Sequence, residues 1–486
     1  MRAFTKSVLI ITIFAATTRA IGFIFRIFLS RVLGAEMLGI YQMAMSIFMV
    51  LLTVISSGLP LVLSREIAKA DKSAVRAMTR AGCIIGITVS VIICAAVLAF
   101  QNIFGLFFAD ARSLPLLLAL LPAIIASALY CVLRAVWWGQ KRFVLLGATE
   151  LVEQVLRVLL FVVALNFITV FADLAAMSAW SFSGACVISA LAVLVIFLFT
   201  NKKTAQPAAA INYTKPLLKS ALPITGVRVV SSVAFPLISI ILPLRLVAAG
   251  WATATAVAHF GIIIGMMFPL LTIPSTIISA LATALVPELS ATTKQAQIQN
   301  QIKKSINFTI FINFVFIPIF IALGPPLGEF LFANADSGIY LARSAWAMVP
   351  LSLSQITSAV LNSLGQEKLA MRNYFIGSVA LLASIWFLPA IIGADAVVVG
   401  LGISTAIAVI LNVHAIRRIT GANISILPRV FAFTLVALPT LVTAYFTHNI
   451  IRLPQIITLP IAGLLALLIF VALSASFNLV KIKLKK

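Results

Sequence analysis

The sequence predicts an all-α polytopic membrane protein with about 14 transmembrane helices, and three observations lead there. Of its 486 residues, 62% are hydrophobic and only 10% charged, with a mean hydropathy of +1.17; soluble folds do not have that composition. Apolar runs of about 20 residues, enough to cross a bilayer, recur fourteen times. Basic residues gather in every second connection between those runs, as topogenic charges do.

In order, the runs cover approximately 7–29, 41–64, 81–101, 115–138, 148–170, 175–199, 217–242, 253–285, 305–326, 340–362, 372–392, 395–416, 427–447 and 455–480, and charged residues within a few positions of a run's end are counted with the adjoining connection. The first follows Lys6 and resembles a secretion signal. Arg19 and Arg26 interrupt it, however, and a second run follows without a soluble domain between them, so it reads as an uncleaved span. The 253–285 run exceeds one bilayer thickness and is expected to tilt or break at Pro269 and Pro274. Further prolines lie inside spans at Pro60, Pro122, Pro236, Pro318, Pro350, Pro389 and Pro439. Each removes a backbone donor and bends its helix, and the freed carbonyls must face protein or water. Together they point to helices that flex during alternating access.

The basic residues orient the chain. With the N-terminus inside, 25 of the 35 lysines and arginines fall in inner segments. Five (Arg31, Arg112, Arg245, Arg343 and Arg452) are outside, and five (Arg19, Arg26, Arg134, Arg157 and Arg228) are within spans. One missed or invented span would reverse the bias downstream. The alternation therefore supports an even count with both termini cytoplasmic, in the plasma membrane. The longest polar connection, NKKTAQPAAAINYTKPLLKS at 201–220, reads as a cytoplasmic linker dividing six spans from eight. LPAIIASALYCVLRAVWWGQKRF before it and VPLSLSQITSAVLNSLGQEKLAMRN after it are both proline-led spans ending in a Gly-Gln turn. That echo suggests repeated lobes around a central site.

The chemistry is sparse. A net charge of +23 raises the possibility of nucleic acid. The charge is dispersed between spans, though, with no basic stripe and no nucleic-acid module, so no nucleic-acid partner is expected. Cys83, Cys94, Cys131 and Cys186 are widely spaced within or beside apolar runs, without a CxxC, and read as core residues. His259, His414 and His448 have no partners at ligand spacing, so neither a metal site nor a cofactor is expected. No Ser-His-Asp set, Walker loop or GxGxxG supports an enzyme.

What remains is charge inside the membrane. Arg19, Arg157 and Arg228 each lie about 9–12 residues into a span, near the bilayer midplane at about 1.5 Å per residue. Each costs about 2.5–3.5 kcal/mol on insertion scales, which is tolerable if the side chains face a polar cavity. Arg26 lies two turns from Arg19 on the same face and either extends a ladder of positive charge or reaches the outer interface. Glu150, Glu153 and Arg157 share a face at i, i+3 and i+7. Glu153 either neutralises Arg157 through the favourable i,i+4 order or binds a coupling ion or proton. Arg228 has no acidic residue in its own span, so its partner comes from another helix or from substrate. Arg134, near Trp137 and Trp138, is expected to snorkel to the inner interface. Glu288 is expected to meet a neighbouring helix terminus. Five arginines against two glutamates leave the spans at +3, which favours an anion, and phosphate or pyrophosphate suits arginine through bidentate pairing.

Several segments carry a family resemblance. TRAIGFIFRIFLSRVLGAEMLGIYQMAMSIFMVLLTVISSGLPLVLSREIA resembles the start of the stage V sporulation protein B family. This family lies in the polysaccharide-transport branch of the multidrug/oligosaccharidyl-lipid/polysaccharide exporter superfamily. RAVWWGQKRFVLLGATELVEQVLRV, LPITGVRVVSSVAFPLISIILPLRLVAAG, GMMFPLLTIPSTIISALATALVPELSA and PLSLSQITSAVLNSLGQEKLAMRNYFIG are similar to its fourth-to-fifth, seventh, eighth and tenth-to-eleventh span segments. The resemblance covers nearly the whole chain. It implies two pseudo-symmetric six-helix lobes and a C-terminal helix pair: an N-lobe at 1–200, the 201–220 linker, a C-lobe at 221–420, and the pair with a basic tail at 421–486. It also implies a lipid-linked saccharide as substrate, and kinship to lipid II flippases with arginines in a central cavity, a pattern that Arg19, Arg26 and Arg228 match by span. Span seven, VAFPLIS, lacks an acidic residue that some relatives carry.

The expected function is therefore a flippase for polyprenyl-pyrophosphate-linked saccharide, such as a peptidoglycan precursor for cell wall or spore cortex. Arg19, Arg26 and Arg228 would bind pyrophosphate, with Arg157 a further candidate. The expected partners are that lipid-linked saccharide, membrane lipid and cell-wall synthesis proteins. Two alternatives stay open: cation- or proton-coupled multidrug export on the same fold, and a non-transporting membrane scaffold in cell-wall synthesis.

Overall fold

The structure is a computed structural model and describes residues 2–166, 174–200, 211–292, 294–450, 454–477 and 479. The end of the fifth run, Lys202, Lys203, Arg452 and the lysines at 481–486 lie outside these. Among the described residues all regular structure is helical. The chain divides into two compact units, Met1–Val247 with Trp251–Gly261, and Ala248–Gly250 with Ile262–Lys486.

The first unit contains α1 (Arg2–Ser56), α2 (Gly58–Ile67), α3 (Lys72–Ala99), α4 (Gln101–Gly105), α5 (Ser113–Ala119), α6 (Leu121–Gly139), α7 (Phe143–Leu165), α8 (Leu174–Thr200), α9 (Ile211–Ser232), α10 (Ala234–Ala248) and α11 (Thr253–Phe260). Helix α1 carries the first expected span and most of the second. Gly34 breaks it at φ 70° and ψ 179°, a conformation that only glycine adopts cheaply. The chain folds back there: Phe25 and Tyr41, about 24 Å apart along a straight helix, line one small cavity. The second span bends again at Ser57, just before Pro60. Gly58 lets α2 seat on α9, since a Cβ there would lie 2.4 Å from the Ala221 carbonyl oxygen. Leu59, Val62 and Leu63 of α2 then pack with Ala81, Val132 and Leu217. This packing places α9 in the first unit, and residues 211–220 of the expected linker already form its opening turns. Gly39 and Gly261 play the same part between α1 and α11. A Cβ at Gly39 would lie 2.1 Å from the Val257 carbonyl oxygen, and one at Gly261 would lie 2.2 Å from that of Ala35.

The 253–285 run breaks as expected. After α11, Gly261–Met267 is π-helical. Then α12 (Phe268–Leu271) stops at Thr272 and α13 (Ile273–Ala291) begins, with Pro269 and Pro274 in their first turns. Proline is tolerated there because those N–H groups have no intrahelical acceptor.

The second unit continues with α14 (Gln295–Phe332), α15 (Ala335–Ser344), α16 (Met348–Ser363), α17 (Glu367–Phe387), α18 (Pro389–Ile392), α19 (Ala396–Thr420), α20 (Leu427–Ile450) and α21 (Gln455–Ser476). Its centre is polar but paired. Ser352 donates to Asn313 Oδ1 at 3.0 Å, Asn373 donates to Asn412 Oδ1 at 2.9 Å, and Asn412 donates to Thr357 and Ser358 at 3.1 Å each. Such interhelical bonds average about 0.6 kcal/mol in membranes. Glu288 accepts from Gln301 in the opening turns of α14 at 2.8 Å, as expected of it. The terminal pair docks on α14 through aromatic rings, with Phe433 5.9 Å from Phe314 and 6.1 Å from Phe470.

Among the described residues, thirteen helices are long and apolar enough to cross a membrane. One is the α1–α2 run that folds back at Gly34, and α7 adds a span disguised by Glu150, Glu153 and Arg157. With the run broken at Thr272 counted once, the total is the expected figure of about fourteen.

Candidate anion site in the first unit

The N-terminal limb of α1 is a continuous helix to Gly34. Arg19 and Arg26 therefore project from one face, about 10.5 Å apart along the axis, with Gly22 between them. A Cβ on Gly22 would stand 3.3 Å from Gln154 Nε2, so this face borders α7. Phe25 and Phe28 meet Phe161 edge-on at centroid distances of 5.5 and 5.8 Å, a geometry worth about 0.5–1.5 kcal/mol per pair beyond burial. Arg19 is exposed and Arg26 half-buried. Neither has an acidic partner among the described residues. Arg228 on α9 is also exposed, with no acidic partner among them.

Arg157 differs. Its Nη2 lies 2.8 Å from Glu153 Oε1, one turn earlier, and Nη1 lies 3.4 Å from Gln154 Oε1. Its guanidinium carbon sits 4.4 Å from the centroid of the Phe182 ring, and its buried Nε has no hydrogen-bond partner. It lines a small pocket, where Tyr41, Ser178 and Ser181 supply hydroxyls and Phe25, Phe161 and Phe182 supply aromatic wall. Tyr41 is buried within electrostatic reach of both Arg157 and Arg26. The structure thus brings Arg26, Arg157, Glu153 and Tyr41 together. Arg19 and Arg228 enter no ion pair or hydrogen bond with this group.

Glu150 does not join Glu153 and Arg157. It pairs with Arg134 at 3.0 Å. Arg134 also donates to the Leu146 carbonyl at 3.0 Å and lies 5.0 Å from the Tyr130 ring centroid. Arg134, expected beside two tryptophans at the inner interface, bonds back to α7, and of the two tryptophans Trp137 is fully buried while Trp138 is exposed. Sequence reasoning missed this pair because its partners lie on different helices. It also missed Tyr41, Ser178 and Ser181, whose signal was polarity inside apolar runs, with the two serines one turn apart on α8. Among the described residues no three His, Cys, Asp or Glu side chains cluster to hold a metal.

The chain is similar to known proteins over most of its length. Stage V sporulation protein B of Bacillus subtilis (strain 168) is 25% identical over 461 residues, covering 90% of this chain and 88% of its own. Among solved structures, the lipid II flippase MurJ in an inward closed conformation superposes with a TM-score of 0.73 at 13% identity, covering 97% of this chain and 100% of that one. An inward-facing multidrug resistance MATE family transporter of the MOP superfamily gives 0.62 at 16% identity, covering 83% and 95%. These likenesses establish the transporter fold. The model of the polysaccharide biosynthesis protein family matches residues 4–293, more than half of the chain, and the chain belongs to that family.

Proposed function

We propose that this protein is a flippase that carries polyprenyl-pyrophosphate-linked saccharide across the plasma membrane by alternating access, with a peptidoglycan precursor for cell wall or spore cortex as substrate. The observation that carries the reading is a set of three arginines, Arg19, Arg26 and Arg228, held in apolar helices without an acidic partner among the described residues. Charge at that depth is costly unless something pairs with it, and a pyrophosphate offers planar oxygen pairs that match the guanidinium fork. Arg157, already held by Glu153, serves as a further phosphate contact or only orders the helix. The family description, the sporulation relative and the flippase fold all favour a lipid-linked saccharide. Both termini are cytoplasmic in this reading, and cell-wall synthesis enzymes are the natural partners for the delivered product. Export of organic cations is disfavoured because the unpaired intramembrane charge is positive.

The test is headgroup transfer in vesicles that carry a defined polyprenyl-pyrophosphate saccharide. Wild-type protein should translocate it. Arg19→Ala and Arg228→Ala should insert normally yet lose transport. Losing one charge-assisted hydrogen bond, about 1.5–3 kcal/mol, weakens binding by about 10–150-fold. Lysine should restore part of it, keeping charge without the fork. Wild-type rates in both alanine variants would overturn the proposal.

A further inference from the structure

A second cavity in the first unit takes no part in that proposed reaction. It is a small pocket, partly open to its surroundings, between α1, α6 and α7. Phe14 and Ala15 of α1, Trp138 of α6, and Phe143 and Leu146 of α7 form its apolar wall, and Arg134 and Glu150 are its charged groups. Gly147 lets the Phe14 ring pack directly on α7 at the pocket wall, since a Cβ there would lie 2.4 Å from that ring. Trp138 is 63% exposed, and the basic turn Lys141–Arg142 follows it directly. In the positive-inside orientation this places the cavity at the inner leaflet, where tryptophan marks the boundary between headgroups and acyl chains.

The charged pair is incompletely used. Both hydrogen bonds of Arg134 come from Nη2, to the Leu146 carbonyl and to Glu150 Oε2, so Nη1 keeps its donors. Glu150 pairs through one oxygen, and its side chain is 49% exposed. A wholly anionic headgroup would meet the Glu150 carboxylate, and a free organic cation would meet Arg134. A zwitterion complements both, and the rings beside Glu150 favour an ammonium further. We propose that this cavity binds an aminophospholipid with an ethanolamine-type head. Its phosphate lies on Arg134, its ammonium on Glu150, and an acyl chain runs along Phe14, Trp138 and Phe143. A lipid seated there ties the start of α1 to the α6–α7 turn.

Native mass spectrometry of the full-length protein in detergent tests this, with phosphatidylethanolamine and phosphatidylglycerol supplied in equal amounts. The wild type should retain phosphatidylethanolamine preferentially. Glu150→Gln should reduce that preference about tenfold, the effect of one charge-assisted bond. Trp138→Ala, on an exposed side chain, should lower retention of both lipids. Equal retention of the two by the wild type, or preference for phosphatidylglycerol, overturns the proposal, and so does an unchanged preference in a folded Glu150→Gln protein. The wild-type competition is decisive even where a variant fails to fold, and no outcome depends on saccharide transport.

Discussion

Arg157 and Glu153 are one turn apart and form an ion pair at 2.8 Å. Their side chains are 24% and 19% exposed, so removing one partner leaves a poorly hydrated charge, which costs about 3–5 kcal/mol in buried pairs. Glu153→Gln should therefore lower the yield of folded protein, while the double exchange Glu153→Arg with Arg157→Glu should restore it. Transport measured on the exchanged protein then separates roles. Retained transport makes the pair structural, and lost transport at normal yield gives one of the two residues a direct part in transport. Outside the spans, Arg112 links Asp110 and Glu36, with Nη2 2.7 Å from Asp110 Oδ2. Its hydrogen bonds hold the Asp110 carboxyl below its ordinary value of 3.8. A depressed carboxyl stabilises the fold above its unfolded pKa, and that stabilisation disappears as pH falls through the folded value, below about pH 4. Thermal unfolding between about pH 6 and pH 3 should therefore show a steeper acid loss for wild type than for Arg112→Ala. The gap should be under about 1 kcal/mol, because Arg112 is half-exposed to solvent.

Helix contacts in the first unit depend on absent side chains. Gly39 and Gly261 let α1 and α11 approach until backbone meets backbone, a close fit that apolar solvent rewards because packing, rather than water exclusion, drives association in lipid. Gly39→Leu should destabilise the protein by about 1–3 kcal/mol through overpacking, read as a lower unfolding temperature in detergent. Gly463→Ala in α21 is the matched control. Nothing lies within 4 Å of a Cβ built there, so the change should be neutral or stabilising by up to about 1 kcal/mol. Equal losses in the two variants would refute the close-approach argument. Prolines act at the same scale: the break at Thr272 between Pro269 and Pro274 was legible because a missing N–H cannot be supplied by neighbours. The π-helical Gly261–Met267 stretch was not, because its cause lies in how α11 is held by α1.

For the molecule as a whole, orientation is the first quantity to measure. In a background lacking the four native cysteines, Lys219→Cys should resist an impermeant thiol reagent applied to intact cells, and Asp336→Cys should react. Both side chains are exposed. The reverse pattern would invert the topology and the proposed direction of transport. The lobe division proposed from the sequence places 221–247 in a C-lobe, whereas the contacts place it in the first unit. Linker composition marks where a chain is polar, and packing decides which helices cluster together.

By itself the sequence determined the membrane class, the number of crossings to about fourteen and the break between Pro269 and Pro274. All of these follow from local quantities: side-chain polarity, run length and missing backbone donors. Tertiary structure alone decided which charges are neighbours. Glu153 and Arg157 could be paired in advance because one helical turn sets their spacing. Glu150 could not be assigned to Arg134, nor Tyr41 placed beside Arg157 and Arg26, because the partners sit on separate helices. Their approach depends on the fold-back at Gly34 and on the packing of α1, α6, α7 and α8.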